Sequence, residues 1–171
     1  MNLESQLTNG LSGKVICPGD KSISQRILII GSLLNCDIEI SGFLDSADPN
    51  STMMALNNLG SSIKKDNKIV SISHRPKPFS NPSSFLDLGN SGTGIRLLTG
   101  FISGLNIDAT LIGDKSLSKR PMSRIVDPLT LMGKEISTNS GRAPIQIKGG
   151  NIKNNFEYVM PIASAQVKSC L

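Results

Sequence analysis

Gly89-Asn90-Ser91-Gly92-Thr93-Gly94-Ile95-Arg96 opens a helix: after the run of small residues, Ile95, Leu98, Ile102 and Leu105 recur at the spacing of one helical face. A second stretch of this kind, Gly19-Asp20-Lys21-Ser22, leads into Ile23, Ile27, Ile30 and Leu34, whose steps predict a helix from about Lys21 to Leu34 with that stripe as its apolar face. A third, Ala163-Ser164-Ala165-Gln166, begins the last nine residues. Arg26 and Arg96 are 70 residues apart in matching places, and Gln166 lies 70 further on. Such spacing marks a repeated unit.

Between the helix starts, short β-branched segments predict strands near Asp37–Ser41, Ser62–Lys65 and Lys68–Ser73. A second helix has Asp48 as expected N-cap, Pro49 at the first helical position and Gly60 just past its end. The first unit thus reads α-β-α-β-β. The second offers a helix from Pro121 to Met132 with Met122, Ile125, Leu129 and Met132 inward and Gly133 as its stop. Pro128 lies inside it, and a kink or a restart at Asp127 is expected because proline lacks the N–H. His74 to Ser84 reads as a loop. The expected fold class is α/β (α+β), with two repeats near 15–85 and 86–160 and the start of a third at 161–171. The helical pattern has barely begun when the chain stops, and the expectation is a truncated chain.

With 171 residues, 38% hydrophobic and 18% charged, the composition supplies a core and excludes a highly charged disordered tail. Ile27–Leu34 is the longest apolar run, far short of the ~20 residues of a membrane span. The polar start, Met1 to Gly10, has neither a secretory nor an Arg-rich transit pattern, so a cytoplasmic address is expected. Cys17, Cys36 and Cys170 are odd in number and widely spaced, which argues for reduced thiols and against a disulfide framework or a zinc site. His74, the single histidine, has no metal-ligand pattern around it. The charge of +5 is not accompanied by a basic-aromatic motif, so nucleic acid is not an expected partner.

The helix starts are where chemistry is expected. Free backbone N–H groups there, approached closely where glycine removes the side chain, favour an anion. A helix end contributes only ~0.3–1 kcal/mol, so cationic side chains must supply most of the attraction. Lys21 and Arg26 stand at the first start, and Arg120 and Arg124 lie one helical turn apart at another. Arginine forks suit carboxylate and phosphate, while lysine is a compact mobile charge. Gly19-Asp20-Lys21-Ser22 and Gly113-Asp114-Lys115-Ser116 lack the upstream glycine of a nucleotide loop, and Gly89–Gly94 is not a dinucleotide fingerprint. The pattern fits a ligand with several anionic groups.

Four stretches in order resemble the 5-enolpyruvylshikimate-3-phosphate synthase family: Pro18–Arg26, Leu88–Arg96, Gly113–Met122 and Ala163–Ser169. The resemblance spans nearly the whole chain and the first part of a family sequence more than twice as long. It implies the enolpyruvyl transferase fold of repeated βαββαβ units in two domains, with substrates in the cleft between them. It also implies transfer of the enolpyruvyl group of phosphoenolpyruvate to the 5-hydroxyl of shikimate 3-phosphate, with release of phosphate and no cofactor or metal. Lys21, Ser22 and Arg26 are implied to contact shikimate 3-phosphate, and Lys21, as the catalytic residue here, to approach phosphoenolpyruvate as well. Asn90, Gly92 and Arg120 line the phosphoenolpyruvate side; Ser164 faces the shikimate phosphate and Gln166 lies between the ligands. Ala165 stands where many relatives carry a serine, leaving a backbone contact. The family's principal acid and base carboxylates belong to the part beyond this chain, which makes the remainder of the enzyme the expected partner and the fragment inactive alone. Two alternatives are the related transferase acting on UDP-N-acetylglucosamine, whose hallmark cysteine is missing from Gly113–Arg124, and a non-catalytic anion-binding domain of the same fold.

Overall fold

The computed structural model describes residues 3–34, 36–153 and 155–171, so Met1 and Asn2 of the N-terminal stretch lie outside it. Its elements run α1 (Lys21–Leu33), β1 (Ile38–Ser41), α2 (Ala47–Asn58), β2 (Ser62–Asp66), β3 (Ile69–Ser73), β4 (Leu86–Asp87), α3 (Gly92–Ser103) and β5 (Ala109–Ile112). A 3-10 turn (Leu117–Lys119), α4 (Ser123–Leu131), β6 (Ile136–Asn139), β7 (Arg142–Ile147) and α5 (Ala165–Cys170) follow. The order α1-β1-α2-β2-β3 recurs as α3-β5-α4-β6-β7.

β1, β3 and β2 form an antiparallel sheet in that order, and β4, β5, β7 and β6 a mixed one in which β4 and β5 are parallel. Inward and outward residues alternate as the pleat requires: Val70 and Ile72 are buried in β3, and Ala143, Ile145 and Ile147 in β7. The register puts Ile63 opposite Ile72 and Leu111 opposite Ile145, so each sheet offers one apolar face to the helices. Both hairpins close through two residues. Asn67 (φ 53) opens one turn, while Ser140 and Gly141 (φ 50 and 71) form the other, the left-handed pair that suits strand twist.

α3 is the central helix, with Ile95, Leu98 and Ile102 fully buried on the predicted face. Its N-cap is Ser91, whose Oγ accepts from Gly94 N at 3.0 Å. Past its C-terminal end, buried Lys134 donates from Nζ to the carbonyls of Leu105 (3.0 Å) and Gly150 (2.9 Å), and burial lowers its pKa. One core cluster runs through the molecule, from Leu56 and Ile72 through Leu98 to Ile145.

α1 forms where expected, but its buried face differs from the predicted one. Ile23, Ile30 and Leu34 are 69%, 54% and 50% exposed, whereas Ser24, Gln25, Leu28, Gly31 and Ser32 point inward. Close approach explains the difference: a Cβ on Gly31 would stand 2.6 Å from Ile72 Cδ1 and 3.3 Å from Ile38 Cδ1. Small residues let the helix lie against the sheet, and the bulky stripe is left on the other side. There Ile30 and Leu33 form, with Leu97, Phe101, Cys170 and Leu171, a groove of about 530 Å³.

Two helix boundaries also shift. The N-cap of α2 is Ser46 rather than Asp48, which lies in the first turn, where a carboxylate complements the helix dipole. α4 spans Ser123–Leu131 without a restart at Asp127 and includes Pro128. As the sixth residue of a nine-residue helix, this proline forfeits the bond its N–H would make to the Arg124 carbonyl. No helix among the described residues is long and apolar enough to cross a membrane.

Candidate functional site

α3 and α5 bring their N-terminal ends together, and α1 joins them through its first two turns. Thr93 Oγ1 accepts from Gln166 Nε2 at 2.9 Å at the start of α3 and α5, and Gly100 meets Cys170 further along, so these two helices run in the same sense. Arg26 Nη2 donates to Ser169 Oγ at 2.9 Å, tying α1 to α5. Gln25 Nε2 donates to Ser91 Oγ at 2.8 Å, tying α1 to the cap of α3. These contacts place Gly92 and Gln166, predicted from widely separated stretches, at adjacent helix starts, whereas Arg26 reaches the last turn of α5.

At α1, Asp20 is the N-cap, its Oδ1 accepting from Ile23 N at 2.8 Å. The half-exposed side chain of Lys21 points to the start of α2, where its Nζ lies 3.0 Å from Asp48 Oδ2. Exposed pairs of this kind contribute little to stability, so Lys21 can exchange Asp48 for a ligand anion at small cost. Ser22 is exposed, and its carbonyl accepts from Arg26 Nη1 at 3.3 Å.

At α3, Arg120 and Arg96 converge on Gly92. A Cβ there would stand 2.6 Å from Arg120 Nη1 and 3.0 Å from Arg96 Nη1, so the missing side chain is what admits both guanidiniums. Arg96 donates to the carbonyls of Gly92 (2.9 Å) and Pro121 (3.0 Å). Its pKa is lowered by burial first, then by the charges of Arg120 and Arg124. Among the described residues no carboxylate pairs with these three arginines. Asp114 acts on Arg120 without pairing with it directly, so the positive potential at the α3 start is only partly offset.

Asn90 is held from both sides. Its Oδ1 accepts from Arg120 Nη2 and its Nδ2 donates to Asp114 Oδ2 at 2.8 Å. Asp114 also accepts from Leu117 N through Oδ1 at 2.7 Å; that backbone bond, followed by the one from Asn90, lowers its carboxyl pKa. At α5, Ser164 is the N-cap and accepts from Val167 N at 3.3 Å, while Ala165 is exposed at the first helical position.

Gln25, Asp48, Ser91, Thr93, Arg96 and Asp114 were not among the predicted site residues. Arg96 carried a signal, since it matches Arg26 in the repeat. Gln25 and Asp114 act on partners 66 and 24 residues away in sequence, which local patterns do not reveal. No group of three or more His, Cys, Asp or Glu side chains among the described residues is arranged to hold a metal ion. What the geometry offers near the starts of α1 and α3 is fixed N–H dipoles, hydroxyls and cations, chemistry suited to multiply charged anions.

The family profile described as EPSP synthase (3-phosphoshikimate 1-carboxyvinyltransferase) matches residues 6–171. A 3-phosphoshikimate 1-carboxyvinyltransferase of Ruthia magnifica is 47% identical over 165 residues, covering 96% of this chain and 38% of its own length. The protein of that name from Legionella pneumophila strain Philadelphia 1 is 44% identical over 173 residues, covering 100% of this chain and 40% of its own length. Among solved structures, EPSP synthase from Acinetobacter baumannii superposes with a TM-score of 0.85 at 41% identity, over 92% of this chain and 36% of that one. The chain thus spans about two fifths of the length of the curated relatives it matches.

Proposed function

The chain belongs to the EPSP synthase (3-phosphoshikimate 1-carboxyvinyltransferase) family, and on that premise we propose that it forms the N-terminal part of a two-domain enzyme transferring the enolpyruvyl group of phosphoenolpyruvate to shikimate 3-phosphate. In this reading, residues 15–85 and 86–160 are two repeated units and 161–171 open a third, and the protein works in the cytoplasm. The observation that carries the reading is the pairing of the α3 and α5 starts through Thr93 and Gln166, with the cap of α3 bonded to Gln25 of α1 and Arg120 beside Gly92.

Ser22, Arg26 and Ser164 receive shikimate 3-phosphate. Lys21, Asn90, Gly92 and Arg120 receive phosphoenolpyruvate, with Gln166 and the backbone at Ala165 between the two. The 5-hydroxyl oxygen bonds to the phosphate-bearing carbon of phosphoenolpyruvate as the hydroxyl gives up its proton and the methylene carbon gains one, giving a tetrahedral intermediate; loss of phosphate and of a methyl proton restores the double bond. Fixed donors and cations that match the charge developing on the departing phosphate lower that barrier. Lys21, whose ammonium can reach either ligand, serves both charge balance and proton transfer.

The test is phosphate release by a full-length chain carrying residues 1–171, with shikimate 3-phosphate or UDP-N-acetylglucosamine as acceptor. Turnover with the first and none with the second is expected; the reverse would overturn the reading. Arg120→Ala should lower kcat/KM for phosphoenolpyruvate about 10- to 100-fold, the effect of one charge-assisted bond. Exposed Lys153→Ala should leave it unchanged. Equal effects would reject the role of Arg120.

A further inference from the structure

Gln25 has no contact with solvent, yet its amide is a polar group in the middle of an otherwise well-packed helix junction. Its Nε2 lies 2.8 Å from Ser91 Oγ, 3.0 Å from Thr52 Oγ1 and 3.3 Å from the Asp48 carbonyl, while its Oε1 is buried without a partner among the described residues. The carbonyl accepts only, which fixes the amide orientation. An apolar side chain of the same shape would avoid the orphaned oxygen. The donor end is therefore what this position uses, and the three acceptors belong to two other helices.

Both helices matter to the site. Asp48 is the partner of Lys21, and Thr52 Oγ1 itself donates to the Asp48 carbonyl at 3.1 Å. Ser91 caps α3 through Gly94 N, and a Cβ on Gly94 would stand 3.0 Å from Gln25 Nε2. One amide therefore spans from the turn bearing Lys21 and Arg26 to the cap of the helix whose start holds Gly92. We propose that Gln25 is a positioning residue: through Ser91 it sets the separation between the α1 and α3 starts, and so between the two anionic substrates. This rests on the function proposed above. Gln25 touches neither ligand in this account. It fixes the alignment of two bound reactants, where an error of about 1 Å can cost 10²-fold in rate.

The test uses the full-length chain and Gln25→Met, which keeps length and volume and removes the donor. Expected is a fall in kcat of about 10- to 100-fold with each KM changed less than about 5-fold, at a Tm close to that of the parent. Combining Gln25→Met with Ser91→Gly, a substitution that N-caps tolerate, should lower kcat no further than either change alone. Should Gln25→Met fail to fold, Ser91→Gly alone carries the test, because it removes the same bond from the α3 side and predicts the same loss of kcat. Unchanged kcat in the folded variant, or losses that multiply in the double variant, would overturn the positioning role. A parent chain without turnover overturns the functional reading and this inference with it. An active parent matched by Gln25→Met overturns this inference alone.

Discussion

Asp114 shows how a single exposed residue can organise the proposed anion site through its neighbours. Its carboxylate caps the Leu117 turn and turns the Asn90 amide so that Oδ1 is left for Arg120. Because these bonds favour the charged form, its pKa in the folded chain lies below the ordinary value of 3.8. The unfolded chain therefore binds this proton first as pH falls. The contribution of Asp114 is whole above the ordinary carboxylate range and is lost as pH drops through the lowered folded value. In a carboxyl-carbon NMR titration Asp114 should reach its midpoint below 3.8, with the Asn90 side-chain amide shifting in step. A midpoint at or above that value, or an Asn90 signal indifferent to it, would contradict the assignment. Asp114→Asn should abolish the coupled shift, since an amide does not titrate in this range.

At the scale of elements, legibility divided according to whether the deciding force was local. The periodicity of α3 was readable because its apolar stripe does face the core. On α1 the same periodicity pointed to the wrong side, because the sheet demanded a face of small residues around Gly31. Composition at helix starts marks Lys21, Arg26, Arg120 and Gln166 as candidates for an anion-binding set. The bonds that gather them, such as Gln25 to Ser91, depend on packing that no local window contains. The pairing of α3 with α5 depends on such a contact: a Cβ on Gly100 would run into the Cys170 carbonyl, a backbone atom that cannot rotate aside. Gly100→Ala should improve the intrinsic propensity of α3 yet lift α5 away, at a net cost of about 1–3 kcal/mol for overpacking. The thiols report it directly. Cys17 and Cys36 are exposed, whereas Cys170 is buried with its pKa pushed up to about 12, chiefly by burial. Alkylation of the native protein at neutral pH should modify Cys17 and Cys36 quickly and Cys170 slowly. In Gly100→Ala, Cys170 should react at a rate approaching the other two, and an unchanged lag would show that α5 stays docked despite the added methyl group.

For the molecule as a whole, the question is whether the two recurrences of α-β-α-β-β fold separately or together. Each has its own sheet, which suggests independence, but neither has its own core. The buried cluster is continuous, with Leu56 and Ile72 on one side, Ile145 and Ile147 on the other, and Leu98 and Ile102 of α3 fully buried in the same cluster. α3 also packs against α1 and α2 as well as β5 and β7, so it cannot leave one sheet without uncovering the other helices. A shared central helix makes partial unfolding expensive, because either half alone would expose the apolar face the other covers. Urea denaturation followed by methyl NMR should therefore give one transition, with Ile72 and Ile145 losing their native signals at the same midpoint. Leu98→Ala, a truncation at zero exposure, should lower stability by about 2–5 kcal/mol and move both midpoints equally. If Ile145 kept its native signal after Ile72 had lost it, the second unit would be independently stable. The bond from Gln25 to Ser91 would then join two separate bodies, and the spacing of the anion site would rest on that bond rather than on a common core.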